Sequence, residues 1–191
     1  MRPMLRICCL VGLSTAFAAQ AQFVNIDATH GFTYDGGGSD PAPVPGQHLN
    51  LIGTLVTLAL PAGDYRITNA SGQPGAQFQA WSYNVYTSSW AWAFVMADNA
   101  TRNTIQYYEA AGGSSANQVA SNPLVKNFEA TFSLASAKTL VFTLRDYYVP
   151  DNAGGISILV SPANPVPEPA SALLLALGLG ATALVIRRRT A

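Results

Sequence analysis

Asp146, Asp151 and Asn152 fall within seven residues, between an apolar run from Leu140 to Leu144 and the pair Gly154-Gly155. Carboxylate and carboxamide oxygens gathered at a turn suit calcium, a hard cation that takes about six to eight oxygen ligands. Adjacent glycines let backbone carbonyls approach closely. The same side chains can instead close Asx-type turns by bonding local amides. Residue type and spacing leave both readings open.

A second group is aromatic. Phe78, Trp81, Tyr83, Tyr86, Trp90, Trp92 and Phe94 lie within 17 residues. Indole and phenol faces stack on sugar rings, so such clusters can line glycan sites. They can equally pack a core. Trp81 and Tyr83 share one face of a strand, and Trp90, Trp92 and Phe94 share one face of the next, with a hairpin around Thr87-Ser88-Ser89. Most of these rings are therefore assigned to the core. Tyr86, Trp90, Tyr107, Tyr108, Tyr147 and Tyr148 are expected at the surface. Among them Tyr86, Trp90, Tyr147 and Tyr148 are the candidates for stacking on glycan.

Acid–base chemistry has little material. His30 and His48 are the only histidines, and neither a Gly-x-Ser-x-Gly elbow nor a His-Glu-x-x-His site is present. A non-enzyme is expected. Residues 22–165 carry five basic and nine acidic side chains, a formal charge of −4. No basic stripe exists, so nucleic-acid binding has no electrostatic support.

The elements that must position these groups read as strands. Phe128, Ala130, Phe132 and Leu134 alternate with polar residues, the mark of a half-buried strand. Similar patterns cover Asp64 to Thr68, Phe78 to Thr87 and Lys138 to Arg145. Leu49 to Leu60 reads as one long strand, and Phe23 to Ala28, Trp90 to Ala97, Asn103 to Ala110 and Ile156 to Ser161 as further ones. That makes about nine strands, with turn signals such as Pro61-Ala62-Gly63-Asp64 between them and no convincing helical period. An all-β fold is expected over 22–161: an antiparallel β-sandwich, either jelly-roll or galactose-binding-like. Asp35 to Gly46, rich in Gly and Pro, reads as a loop.

The two ends of the chain are addressing segments. Arg2 and Arg6 precede an apolar run, Ile7 to Ala18, and small residues up to Ala21, the layout of a secretory signal peptide over 1–21 for signal peptidase to remove. Cys8 and Cys9 fall inside it, so the mature chain is expected to have no disulfide and no thiol ligand. At the other end, residues 162–169 hold four prolines and read as an extended stalk. Residues 170–186 carry no charge; as a helix they would reach about 25 Å, close to a hydrocarbon core. Arg187, Arg188 and Arg189 follow in the tail 187–191, which the positive-inside rule assigns to the cytoplasm.

Val166-Pro167-Glu168-Pro169, the apolar helix and the Arg cluster together resemble the PEP-CTERM sorting signal. That resemblance implies a Gram-negative envelope, transient tethering in the inner membrane, and processing near Pro167-Glu168-Pro169 by an exosortase, a membrane-embedded enzyme with a cysteine nucleophile. Its family occurs in bacteria that make exopolysaccharide and biofilm.

Arg145 to Val160 resembles the calcium-loop region of galactose-binding-like β-sandwiches, including bacterial galactophilic lectins. The resemblance implies that Asp146, Asp151 and Asn152 are calcium ligands and that sugar hydroxyls join them on the ion. The expectation is an exosortase-sorted surface or matrix protein that binds extracellular polysaccharide with calcium. The competing class is a structural surface or biofilm-matrix protein with no small ligand.

Overall fold

A computed structural model describes residues 20–34, 41–146 and 148–164. The signal peptide up to Ala19, residues 35–40 of the Gly-rich loop, Tyr147, the stalk from Pro165, Val166 to Pro169, the apolar span 170–186 and Arg187 to Arg189 lie outside the described residues. Among the described residues no helix is long and apolar enough to cross a membrane.

Eleven strands are described: β1 (Gln22–Asp27), β2 (Gly31–Tyr34), β3 (Asn50–Gly53), β4 (Val56–Leu60), β5 (Gly63–Asn69), β6 (Gln79–Asn84), β7 (Ser89–Asp98), β8 (Thr104–Gly113), β9 (Glu129–Leu134), β10 (Lys138–Arg145) and β11 (Ala153–Pro162). The all-β expectation holds. Hydrogen bonds run in one path, β3-β2-β10-β7-β6-β11-β5-β9, with β1 on β11, β4 on β10 and β8 on β7. Not every pair is antiparallel, since β2 runs parallel to β10 at Phe32–Leu144 and Thr33–Arg145.

The single strand expected over Leu49 to Leu60 is two. The chain breaks at Gly53, whose φ of 81° suits glycine, and a Cβ there would sit 2.2 Å from the His30 carbonyl oxygen. The Thr54 amide then donates to that same oxygen at 2.9 Å. This break lets β3 pair with β2 while β4 pairs with β10.

Two short helices, α1 (Ala116–Ser121) and α2 (Pro123–Lys126), were not expected. They are too brief for a periodic pattern to show. Their caps are conventional: Ser115 accepts from the Gln118 amide, and Asn122 accepts from the Leu124 amide with Pro123 opening the next turn. Each buries one valine, Val119 or Val125, against the core.

Side chains from both halves of the strand path meet in one core, including Val24, Ile26, Ile67, Trp92, Phe94, Phe142 and Ile158. A smaller cluster of Leu49, Val95, Ala97 and Val141 covers the other face of β7 and β10. That double cover explains why β7 is buried from Ala91 to Asp98 with no alternation. Each fully buried large side chain contributes about 2–3 kcal/mol.

Two aromatic assignments are corrected. Tyr108, expected at the surface, stacks on Phe94 at 4.9 Å and meets Phe128 edge-on at 5.6 Å. Its position opposite Phe94 in the β7–β8 register brings it inward, and burial pushes its phenol pKa up. Tyr107 is half-buried beside it. Tyr83, expected in the core with Trp81, points outward at 47 % exposure. The β6–β7 register slips between Ser82 and Asn84, so Tyr83 is the extra residue of a bulge.

Candidate functional site

The connection from β10 to β11 carries the three oxygen-bearing residues. The Asp146 amide donates to the Thr33 carbonyl at 3.2 Å, and its Oδ1 accepts from the Tyr148 amide at 3.2 Å. Asp146 therefore closes the Asx turn that the sequence allowed. Val149–Asp151 forms a single 3-10 turn started by Pro150, and the Asn152 amide closes it on the Val149 carbonyl at 2.9 Å.

Two neighbouring turns are bonded to this connection. The Asn152 Nδ2 donates to the Ala28 carbonyl at 3.1 Å, and the Ala28 amide donates to the Gly154 carbonyl at 3.0 Å, joining the turn after β1. The Val85 amide donates to the Asp151 carbonyl at 2.9 Å, joining the turn between β6 and β7. That second turn is stiffened by Asn84, whose Oδ1 accepts from the Tyr86 and Thr87 amides, both at 3.0 Å.

Asp146, Asp151 and Asn152 are each 8 % exposed. Asp151 Oδ1 and Asn152 Oδ1 are buried with no hydrogen-bond partner among the described residues. The Nδ2 bond to Ala28 orients the Asn152 carboxamide. A buried acceptor left unmade costs about 1–3 kcal/mol, and more if charged. Among the described residues no group of three or more His, Cys, Asp or Glu side chains could hold a metal ion. The donor set here is two carboxylates and one carboxamide, all hard oxygen donors.

Tyr86 is 83 % exposed and Tyr148 is 53 % exposed, as expected for stacking surfaces. The structure brings them to the same end of the fold as Asp151 and Asn152. Tyr83 and Val85 join them at the surface, and the sequence offered no signal for the bulge that turns Tyr83 out. Trp90 is elsewhere: half-buried, it rests its ring edge against Gly154 in a separate groove. The histidines take local bonds. His30 meets Asp27 at 3.0 Å, and His48 Nδ1 donates to the Thr101 carbonyl at 3.1 Å.

Beyond the described residues, 165–189 match the PEP-CTERM protein-sorting motif. The chain carries a PEP-CTERM sorting signal. This is the tail that Val166-Pro167-Glu168-Pro169 and Arg187-Arg188-Arg189 mark out. A PEP-CTERM signal makes the protein an exosortase substrate and implies export to the cell surface or beyond. No curated protein and no solved structure matches the chain. The PEP-CTERM match thus covers the address and leaves the exported domain to be read from its own geometry.

Proposed function

We propose that the exported domain is a non-catalytic β-sandwich that binds exopolysaccharide, with calcium at the β10–β11 connection. Buried oxygens on Asp151 and Asn152 that meet no donor among the described residues, in a turn bonded through Val85 to the turn of the exposed Tyr86, carry this reading. The residues fit a hard cation: Asp146, Asp151 and Asn152 would hold it through oxygen. Calcium would neutralise the buried carboxylates and offer coordination positions to vicinal sugar hydroxyls. The exposed rings of Tyr86 and Tyr148 would supply apolar faces for the ring on that ion.

The route to the surface follows from the sorting signal. Signal peptidase removes residues 1–21, the span 170–186 holds the protein in the inner membrane, and exosortase acts near Pro167-Glu168-Pro169. The candidate end opens β11 at Ala153, whereas the stalk leaves the far end of that strand at Pro162. Ten residues of extended strand, about 30 Å, run from the candidate end to Pro162.

A glycan array probed with calcium and again with EDTA tests the reading. At least one glycan bound in calcium and lost in EDTA is the expected outcome. A flat array in both conditions would sink it and leave the structural matrix protein with no small ligand as the surviving class.

A further inference from the structure

Beside β6 lies a groove of about 390 Å³, lined by Gln77, Phe78, Gln79, Trp90 and Gly154, with Ala116 of α1 at its margin. Its walls are pinned before any ligand arrives. Ser157 is fully buried, and its Oγ accepts from the Gln77 amide at 3.0 Å and the Phe78 amide at 2.9 Å. That hydroxyl donates in turn to Asn25 Oδ1 at 2.6 Å. Asn25 also accepts from the Gln77 amide at 3.1 Å and donates to the Gly75 carbonyl at 3.2 Å. On the opposite side, Gln79 Nε2 donates to Asn117 Oδ1 at 3.0 Å, which fixes the carboxamide and leaves its oxygen as an acceptor.

We propose that this groove is a subsite for a neutral pyranose unit of a polysaccharide chain, stacked on Trp90 and Phe78 and hydrogen-bonded by the Gln77 and Gln79 carboxamides. The proposal rests on the glycan-binding reading above and locates a second, calcium-independent contact within it. Among the described residues the lining holds no charged side chain, so nothing there compensates a carboxylate or sulfate on the sugar. Carboxamides both donate and accept, which suits hydroxyls that do the same. Aromatic faces beside them suit the apolar faces of a pyranose ring. A preset wall spares the ordering entropy that a weak, repetitive ligand cannot repay. The protein's own proline-rich segment 162–169 is the rival occupant.

The test is affinity electrophoresis of the full chain in mild detergent, through gels containing a neutral β-glucan, α-glucan, galactan or mannan, or a uronate polymer. Retardation by at least one neutral polymer is expected, persisting in EDTA. Trp90→Ala should weaken it about tenfold, and Trp90→Phe should retain most of it. Gln79→Ala, at an exposed side chain, should weaken it severalfold without touching the core. Retardation that survives Trp90→Ala and Gln79→Ala but vanishes in EDTA would overturn the groove and leave the calcium reading standing. Stronger retardation by the uronate polymer than by every neutral one would overturn the neutral-sugar assignment. No retardation in any gel would overturn both readings. Tryptophan fluorescence that responds to a synthetic peptide of residues 162–169 and to no polymer would make the stalk the occupant instead.

Discussion

The Val85 amide donates to the Asp151 carbonyl oxygen at 2.9 Å, and that bond couples the turn carrying Tyr86 to the turn carrying the buried carboxylate. An exposed aromatic turn and a turn with buried oxygens, more than sixty residues apart in sequence, are thereby bonded to each other.

Asp151→Asn separates the buried charge from the fold. In EDTA the variant should melt a few degrees above wild type, because it replaces a buried carboxylate, one of whose oxygens meets no donor among the described residues, by a neutral carboxamide, worth about 1–2 kcal/mol. In millimolar calcium the order should reverse, since binding to the native state stabilises only the protein that keeps its ligand. Thermal melts in both conditions read this out. Equal calcium shifts for the two proteins would remove Asp151 from any site.

Asp98 makes the fold acid-sensitive. It is 7 % exposed, bonded through Oδ2 by Lys138, while Oδ1 accepts from the Ala100 and Thr101 amides at 2.8 and 3.3 Å. The Lys138 hydrogen bond, opposed by burial and aided by the two amides, holds the Asp98 carboxyl below its ordinary value. A depressed folded-state pKa gives stability that is present above the unfolded value, about 3.9, and is lost as pH falls through the folded value. Asp98→Asn should cost about 1–2 kcal/mol at pH 7 and show a shallower loss below about pH 4. Urea unfolding across that pH range checks both statements, and parallel curves for the two proteins would contradict them.

Gly155 admits no side chain. It faces Asp27 of β1 and Ala80 of β6, and a Cβ would sit 2.2 Å from the Ile26 carbonyl oxygen and 2.8 Å from Phe78 Cγ. Gly155→Ala should destabilise by about 2–4 kcal/mol. Gly112→Ala, whose Cβ would meet nothing closer than 3.6 Å, should stay within about 0.5 kcal/mol. Denaturant midpoints compare them; equal midpoints would show that β1 and β6 yield easily.

Processing depends on the tail. Replacing Pro167, Glu168 and Pro169 together by alanine should leave unprocessed chain in the inner-membrane fraction of an exosortase-bearing cell. Removal of Arg187 to Arg189 should also reduce the processed form. Immunoblots of fractionated cells distinguish precursor from product, and an unchanged ratio would detach processing from the motif.

Strand content was legible both in strands with one face in water and in a strand buried on both faces. Lys138 to Arg145 was bounded correctly, and Glu129 to Leu134 followed its alternation. Where the backbone departs from a plain strand, the pattern failed: a Gly53 break contacting the distant His30 carbonyl, a one-residue bulge at Tyr83, and two helices of four to six residues. For the candidate site, composition singled out Asp146, Asp151, Asn152, Tyr86 and Tyr148. It could not find Ser157 or Asn25, because a serine in an apolar strand carries no sign that two amides from the Gln77-Phe78 segment end on it.

The strand next to the stalk also settles how the domain bears load. β11 is bonded to β1 from Gly155 to Val160 and to β5 from Ile158 to Pro162, so it is clasped along both edges before the chain leaves. A pull entering through residue 163 strains those bonds side by side, in shear, instead of peeling them one after another. The arrangement resembles a dowel glued on two sides more than a zipper.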